Sequence, residues 1–184
     1  DKDTFSKIKF FKGDVRSRQL VLEASKACDV IFHLAAILGV DIVADNPVET
    51  MDVEVVGTRN VVEASETNNV KYILYASTSG IYSHSAIVKN ALTEEVMVDP
   101  RTSYAMAKRY NEIYLASHHE ERGINVISIR FFNVYGWNQD NRMVVPRFFE
   151  SFLSVARSNP AKALLYIINL MIFAWQSGSM ALFS

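Results

Sequence analysis

The sequence predicts an α/β fold with a doubly wound, parallel β-sheet, and two observations support this. Segments typical of strands and of helices alternate between residues 8 and 130, and the connections between strands are too long for hairpins. Residues 29–36 are apolar almost without alternation, which is typical of a parallel strand covered on both faces. We therefore expect crossover helices between parallel strands.

The first predicted elements are a strand over residues 8–12, which ends at the turn pair Gly13-Asp14, and a helix over residues 16–27. Apolar residues recur in this helix at steps of three and four, which predicts one buried face. Residues 29–36 form the second predicted strand.

The longest predicted helix covers residues 48–66. Asn46 is a favourable N-cap before Pro47, whose ring suits the first turn of a helix, and Asn68 lies where the periodic pattern stops. The β-branched and aromatic residues 70–76 predict the next strand.

The second half of the chain begins with the polar, irregular residues 83–102, which predict a long functional loop. Thr102 or Ser103 opens a helix that ends near Gly123, a typical stop after a basic residue. Residues 124–130 predict the last strand.

Composition excludes several classes of protein. The 184 residues suit one domain, and 49% hydrophobic residues suffice for a core. The formal net charge of −1, from 19 basic and 20 acidic residues, gives no reason to expect nucleic acid or an anionic membrane as a partner. The single cysteine, Cys28, excludes an intrachain disulfide and indicates a reducing compartment, so we expect a cytoplasmic protein without a metal site.

One segment, residues 163–175, is apolar enough to suggest a membrane-spanning helix, although Asn169 interrupts it. As a helix it would span ~20 Å, against ~30 Å for the hydrocarbon core of a bilayer. We therefore rank a packed or aberrant helix as the first interpretation of this segment and a membrane segment as the second. The charged residues at the start of the chain do not form a signal peptide.

Tyr104 and Lys108 are the first candidates for catalysis. They lie four residues apart in a predicted helix, so the phenol and the ammonium project from the same face. A unit charge ~4 Å away is worth up to ~4 kcal/mol in a partly screened site, or ~3 pK units. Lys108 would then lower the pKa of Tyr104 enough for a general base near neutral pH. An exposed amphipathic helix explains the same pair without catalysis.

Small and polar residues lie at the carboxyl ends of the predicted strands. Since these ends share one edge of a parallel sheet, and ligands bind beyond that edge, we expect a common ligand site. Turns, close packing and ordinary strand ends explain each group alone, but not the coincidence of all groups on one edge. The residues are Gly13, Asp14, Ala35, Ala36, Ser77, Thr78, Ser79 and Asn133.

Six segments form an ordered series: Lys12-Gly13-Asp14-Val15, Phe32-His33-Leu34-Ala35-Ala36, Gly57-Thr58-Arg59-Asn60-Val61, Ala76-Ser77-Thr78-Ser79-Gly80-Ile81-Tyr82, Tyr104 to Lys108, and Arg130-Phe131-Phe132-Asn133-Val134-Tyr135-Gly136. In this order they resemble the extended short-chain dehydrogenase/reductase family, in its NAD-dependent epimerase/dehydratase branch that acts on nucleotide sugars. The resemblance covers residues 8–153, stops abruptly afterwards, and implies a Rossmann-like fold.

The resemblance also implies roles for individual residues. Tyr104 would exchange a proton with a sugar hydroxyl while hydride passes to NAD, or to NADP in its place. Lys108 would lower the pKa of Tyr104 and hold the nicotinamide ribose, and Thr78 would hydrogen-bond the same sugar oxygen. At the cofactor the resemblance places Asp14, Val15, Leu34, Ala35, Ala36, Ser77, Tyr104 and Lys108, and at the nucleotide-sugar substrate it places Thr78, Ser79 and Asn133. A full-length member is expected to be a homodimer.

The sequence departs from the family pattern in ways that affect function. It has no glycine-rich phosphate loop, so the cofactor pyrophosphate lacks its anion site and we expect the fragment alone to be inactive. We expect a chain truncated at both ends, with a partial dinucleotide-binding domain over residues 1–157 and an apolar tail over residues 158–184. Three single positions also depart from the pattern: Glu54 replaces a frequent Asn, Ser83 a Gly and Trp137 a Pro.

The leading hypothesis is a fragment of a UDP-sugar 4-epimerase. Dehydratases and decarboxylases of this family carry an acidic residue after the catalytic Thr, whereas Ser79 and Gly80 follow Thr78, and neither is an acid or a base near pH 7. Reversible hydride transfer does not need that carboxylate. The alternatives are a dehydratase or decarboxylase of the same family, a non-catalytic Rossmann-type binding protein, and a membrane-attached protein held by residues 163–175.

Overall fold

A computed structural model of the protein describes residues 8–83, 92–136, 138–140 and 143–158. The chain divides into two compact units after Asn133. The described part of the first unit contains a β-sheet with helices packed against it, and that of the second contains one helix. The apolar segment 163–175, with the expectations attached to it, lies outside the described residues, and so do residues 84–91 of the long loop predicted over residues 83–102. No helix in the described part of the chain is long and apolar enough to cross a membrane.

The strands of the described residues are β1 (Val30–His33), β2 (Tyr72–Thr78) and β3 (Asn125–Phe131). The helices are α1 (Arg18–Ala24), α2 (Val40–Asp45), α3 (Pro47–Thr67), α4 (Ser103–Arg122) and α5 (Val144–Ser158), and a short 3₁₀ helix, Ser79–Ile81, follows β2. The strands are parallel in the order β1-β2-β3. The predicted α/β class and the crossover connections are thereby confirmed.

The predicted ends of α4 are confirmed. The Thr102 hydroxyl accepts a hydrogen bond from the backbone N–H of Ala105 at 3.1 Å, which satisfies one of the free donors at the helix start. Gly123 ends the helix with a φ of 74°, a left-handed conformation that glycine adopts without strain. Local chemistry therefore fixes both ends of the helix that carries Tyr104.

The start of α3 at Pro47 is confirmed, but the predicted capping role of Asn46 is wrong. The Asn46 side chain makes no cap hydrogen bond to α3. Instead its Nδ2 donates to the carbonyl oxygen of Ile42 at 3.0 Å. The reason is the short helix α2, which the sequence pattern did not predict and which ends next to α3.

The core lies between α3, α4 and one face of the sheet. Val62 on α3 and Leu115 on α4 pack with Ile73 and Tyr75 of β2, and all four are buried. Because apolar burial stabilises by about 25 cal/mol per Å², this layer holds the helices on the sheet. It therefore fixes the position of α4 relative to the end of β2.

The prediction of a sheet covered on both faces is wrong for the described residues. Phe32, Leu74 and Ile127 are register neighbours on the face opposite the core. Phe32 is 65% exposed and Ile127 is 51% exposed. Helices α3 and α4 cover only the other face of the sheet. The strands, which are apolar on both faces, are therefore buried on one face only.

The predicted strand over residues 8–12 is also wrong. These residues form neither strand nor helix, and Phe10 is 79% exposed. A strand needs a hydrogen-bonded neighbour, and among the described residues β1 pairs only with β2. The helix predicted over residues 16–27 is shorter, because the chain leaves it before Ala27, which has a φ of 58°.

Candidate active site

The structure places some of the predicted site residues at the carboxyl edge of the parallel sheet. Thr78 ends β2 opposite Phe131 of β3, and His33 ends β1. Four further predicted residues follow these strand ends, namely Leu34, Ala35, Ala36 and Asn133. Parallel pairing puts all three strand ends on one side, as the sequence predicted.

The end of β2 meets the first turn of α4 at Gly80. The Thr78 hydroxyl accepts a hydrogen bond from the Gly80 N–H at 3.1 Å. A Cβ placed on Gly80 would lie 3.4 Å from Oγ1 of Thr78 and 3.9 Å from the Cβ of Ala105. Since Ala105 adjoins Tyr104, the end of β2 that carries Thr78 lies close to the first turn of α4.

A cavity of about 480 Å³ opens beside Tyr104. Its size falls within the range of small-molecule sites, and its walls are mainly apolar with a few hydroxyl groups. The lining residues are Ile37, Leu38, Gly39, Val43, Ala44, Pro47, Thr102, Ser103 and Tyr104. Apart from Tyr104, the predicted list of site residues did not include this wall, because residues 37–47 have no polar pattern that marks a site.

Lys108 lies one turn after Tyr104 and is 1% exposed. Its Nζ donates to the carbonyl oxygen of Ala76 at 2.8 Å and lies 2.9 Å from Oε2 of Glu54. It also lies 5.4 Å from the centre of the Tyr104 ring. Tyr104 and Lys108 therefore lie on the same face of α4, but the closest contacts of the Lys108 ammonium are with Glu54 on α3 and Ala76 on β2.

The pKa of Tyr104 lies above its ordinary value in this structure, and the lowering by Lys108 stays a prediction. Burial, together with the negative charge of Glu54, raises the pKa of Tyr104 to about 12. Burial also lowers the pKa of Lys108 and raises the pKa of Glu54, each opposed by the charge of the other. The phenol of Tyr104 is consequently protonated near neutral pH in this structure.

His33 is a buried group that the sequence argument did not single out. Its Nε2 lies 3.0 Å from Oγ1 of Thr58 on α3. Burial and the charge of Lys108 lower the pKa of His33 to about 4. His33 is therefore a neutral hydrogen-bonding group near pH 7.

Ser77 belongs to a polar network rather than to the exposed edge. Its hydroxyl donates to Oε1 of Glu112 at 2.6 Å, and Arg130 donates to both carboxylate oxygens of Glu112 at 2.9 Å. Arg109 donates to Oε2 at 2.9 Å. The sequence argument missed this network, although Glu112 continues the four-residue spacing of Tyr104 and Lys108. The cofactor role of Ser77 stays a prediction.

Asp14 and Val15 lie in the loop before α1. The Asp14 carboxylate accepts hydrogen bonds from the backbone and the guanidinium of Arg16, and these hold its pKa below the usual range. The Val15 carbonyl accepts a hydrogen bond from Nδ2 of Asn60 at 3.0 Å. This bond ties the loop to α3, whereas the roles predicted for Asp14 and Val15 at the cofactor are untested.

The edge fits the nicotinamide end of a dinucleotide in part. Thr78 at the end of β2 and Tyr104 in the first turn of α4 are half-buried residues with hydroxyl groups, and a cavity borders Tyr104. Lys108 does not fit the ribose-binding role that the resemblance implies, because its ammonium is buried against Glu54 and Ala76. Among the described residues no group of three His, Cys, Asp or Glu side chains is placed to hold a metal ion.

Comparisons with known proteins identify the family of the chain. The model of the NAD dependent epimerase/dehydratase family matches residues 1–171. The UDP-glucuronate 4-epimerase of Thermodesulfobacterium geofontis is 30% identical over 131 residues, which cover 70% of this chain and 40% of the relative. The human dTDP-D-glucose 4,6-dehydratase is 30% identical over 142 residues, which cover 76% of this chain and 40% of the relative.

A solved structure shows the same relationship. The UDP-glucose 4-epimerase of Thermus thermophilus, in complex with NAD, is 29% identical and superposes with a TM-score of 0.70. The match covers 79% of this chain and 47% of that one. The chain thus spans less than half the length of these relatives. With the family model matched over most of its length, the chain belongs to the NAD-dependent epimerase/dehydratase family.

Proposed function

We propose that this chain carries the proton-transfer residues of an NAD-dependent epimerase that acts on UDP-sugars at the 4-position. The observation that supports the proposal is the approach of the first turn of α4, which carries Tyr104, to the end of β2, which carries Thr78, with a cavity of ligand size beside Tyr104. A solved relative with this fold is a UDP-glucose 4-epimerase in complex with NAD, which supports the same cofactor here.

Each hydroxyl has a distinct role in the proposal. NAD, when bound, accepts a hydride from the sugar carbon and returns it. In its deprotonated form, Tyr104 takes the proton of the sugar hydroxyl as the carbonyl forms, and it gives the proton back when the carbonyl is reduced. The Thr78 hydroxyl hydrogen-bonds the same sugar oxygen and fixes its distance from Tyr104.

The residues after Thr78 favour epimerisation over elimination of water. Ser79 and Gly80 carry no carboxylate, and Gly80 approaches Thr78 and α4 closely. The buried carboxylates behind the strand, Glu54 and Glu112, are each paired with a cation. Removal of a proton from a neighbouring carbon needs a base there, so these pairings favour the epimerase over the dehydratase.

The proposal is tested with a chimera, in which residues 8–153 replace the corresponding segment of the Thermus thermophilus UDP-glucose 4-epimerase. We expect UDP-galactose from UDP-glucose, identified by chromatography. A 4-keto-6-deoxy sugar from dTDP-glucose, or a pentose from a UDP-sugar acid, would show the dehydratase or decarboxylase instead. A folded chimera that binds UDP but turns over none of these substrates would favour a non-catalytic binding protein.

A further inference from the structure

Arg130, near the end of β3, is held in one orientation by a buried carboxylate. Its Nε donates to Oε1 of Glu112 and its Nη2 donates to Oε2, each at 2.9 Å. The Glu112 side chain is 5% exposed and also accepts hydrogen bonds from Ser77 and Arg109. Because the paired contact fixes the plane of the guanidinium, it also fixes the direction of the third nitrogen, Nη1.

Nη1 of Arg130 contacts the turn that follows β2 and the loop beyond it. It donates to the Tyr82 hydroxyl at 2.9 Å and to the backbone carbonyl oxygen of Glu94 at 3.0 Å. Tyr82 is buried, and its ring centre lies 5.1 Å from the guanidinium carbon. One arginine thus joins β3, α4, the turn after β2 and the loop that contains Glu94.

Glu94 belongs to the described second part of the predicted long loop, residues 92–102, which we call the returning arm. Another contact also holds this arm, since the N–H of Asp99 donates to the carbonyl oxygen of Ile81 at 2.8 Å. Ile81 is fully buried in the turn after β2. The returning arm is therefore attached near its start by Arg130 and further along by Ile81.

The returning arm leads directly into the candidate site. It ends at Thr102, which caps α4 and, together with Ser103, lines the cavity beside Tyr104. An arm attached at two points holds this part of the cavity wall in place before a ligand binds. Such preorganisation strengthens binding, because less chain has to be ordered when the ligand enters.

We propose that Arg130 is a positioning residue, which anchors the returning arm so that the arm forms a fixed wall of the candidate site. The anchoring is a property of the chain itself, whereas its effect on turnover rests on the proposed function. Helix α4, which carries Tyr104, packs on the sheet through Leu115. Release of the arm should therefore weaken binding of the UDP-sugar and leave the proton transfer intact.

The test is limited proteolysis of the 184-residue chain with a glutamate-specific protease. Such a protease cleaves after Glu94 and Glu95 in the returning arm, and the first of these peptide bonds contains the carbonyl that Arg130 binds. It also cleaves after Glu120 and Glu121 in α4, where the helix has to unfold first. The ratio of the two cleavage rates, measured by mass spectrometry, separates release of the arm from unfolding of the protein.

We compare the wild-type chain with Arg130→Lys. Lysine keeps the positive charge beside Glu112, but its single ammonium cannot replace the three nitrogens that bind Glu112 and Glu94 together. Arg109→Lys is the matched control, because Arg109 donates to the same carboxylate and, among the described residues, has no hydrogen bond to the returning arm.

We expect the ratio of cleavage in the arm to cleavage in α4 to rise at least about tenfold in Arg130→Lys and to stay unchanged in Arg109→Lys. The reason is that only Arg130→Lys removes a hydrogen bond from a charged donor to the arm, and cleavage follows the population of the open form. An equal ratio in the wild-type chain and in a folded Arg130→Lys chain, checked by circular dichroism, would overturn the proposal.

The wild-type chain decides the matter if Arg130→Lys does not fold. An anchored arm should be cleaved no faster than the end of α4. Preferential cleavage after Glu94 or Glu95 in the wild-type chain would show that the arm is not anchored, and would overturn the inference.

The chimera supplies a second readout. In Arg130→Lys we expect KM for UDP-glucose to rise by on the order of tenfold with kcat unchanged, whereas a mere loss of folded enzyme lowers kcat and leaves KM unchanged. An active chimera whose KM does not change would overturn the role of the arm in the site. An inactive chimera, together with an arm that is released in Arg130→Lys, would reject the proposed function but keep the anchoring by Arg130.

Discussion

Individual side chains decide what the sheet edge can do chemically. The spacing of Tyr104 and Lys108 correctly predicted that they share one face of a helix, because a four-residue step is a property of the helix itself. The predicted effect of Lys108 on the pKa of Tyr104 stays a prediction. The contact of Lys108 with Glu54 was missed, because Glu54 is distant in sequence and meets Lys108 only when α3 packs on α4. Local spacing carries no information about such a contact.

Gly57 provides a prediction about a single position on α3. A Cβ at this position would lie 2.6 Å from Cγ1 of Val15, closer than packed atoms tolerate. We expect Gly57→Ala to destabilise the protein by about 1–2 kcal/mol, because overpacking costs about 1–3 kcal/mol and alanine regains up to about 1 kcal/mol of helix propensity. Urea unfolding measures the change.

Gly136→Ala is the matched control, since a Cβ on Gly136 meets nothing within 4 Å. Adding Val15→Ala to Gly57→Ala should recover part of the lost free energy of unfolding by removing the clashing methyl groups. An unchanged stability in Gly57→Ala would show that the loop before α1 does not lie against α3 as described.

Helices and strands were predicted with unequal success, for identifiable reasons. The start of α3 and both ends of α4 were predicted closely, because proline, threonine and glycine mark helix ends by local chemistry. Helices α2 and α5 were not predicted. The strand predicted over residues 8–12 failed, because strand formation depends on a neighbour that local sequence does not specify.

The network around Glu112 links β2, β3 and α4, and it gives a prediction about stability. Burial raises the pKa of Glu112, but hydrogen bonds from Arg130, Ser77 and Arg109 outweigh this and keep the pKa below its ordinary value. Glu112→Gln leaves Arg130 without its charged partner. Because breaking a buried ion pair costs about 3–5 kcal/mol, we expect a loss of that order in the free energy of unfolding near pH 7.

The pH dependence follows from the same lowered pKa. The unfolded chain binds the proton more readily than the folded chain, so the stabilisation is present above the unfolded pKa of about 4.5. It disappears as the pH falls through the lower folded pKa. Urea unfolding between pH 7 and pH 3 should therefore show that the free energy of unfolding falls more steeply in the wild-type chain than in Glu112→Gln.

Glu23→Gln is the control, because Glu23 forms an exposed ion pair with Lys26, and this variant should resemble the wild-type chain. Parallel pH curves for wild type and Glu112→Gln would contradict this account.

At the scale of the whole molecule, the chain spans less than half the length of its relatives. The fold class was predicted from the alternation of strands and helices and the family from six ordered motifs, and both are confirmed. The cavity wall over residues 37–47 was not predicted, since it arises from packing rather than from a motif.

We expect the 184-residue chain to bind NAD weakly or not at all. Its sequence has no glycine-rich loop at a helix start, where backbone N–H groups would bind the pyrophosphate. Isothermal titration calorimetry with NAD should show no saturable heat at micromolar ligand. Micromolar affinity would mean that the described sheet edge holds the dinucleotide by contacts that do not depend on that loop.

The central claim, that Tyr104 transfers the proton, is tested most directly by the turnover of a Tyr104→Phe variant of the chimera with UDP-glucose. The variant keeps the ring and removes the hydroxyl, and Tyr110→Phe is the control because Tyr110 is a 46% exposed tyrosine on the same helix. Since general acid–base catalysis contributes about 10²- to 10⁴-fold, we expect Tyr104→Phe to lower kcat by at least about 10²-fold and Tyr110→Phe to leave it unchanged. Full turnover in Tyr104→Phe would contradict the account.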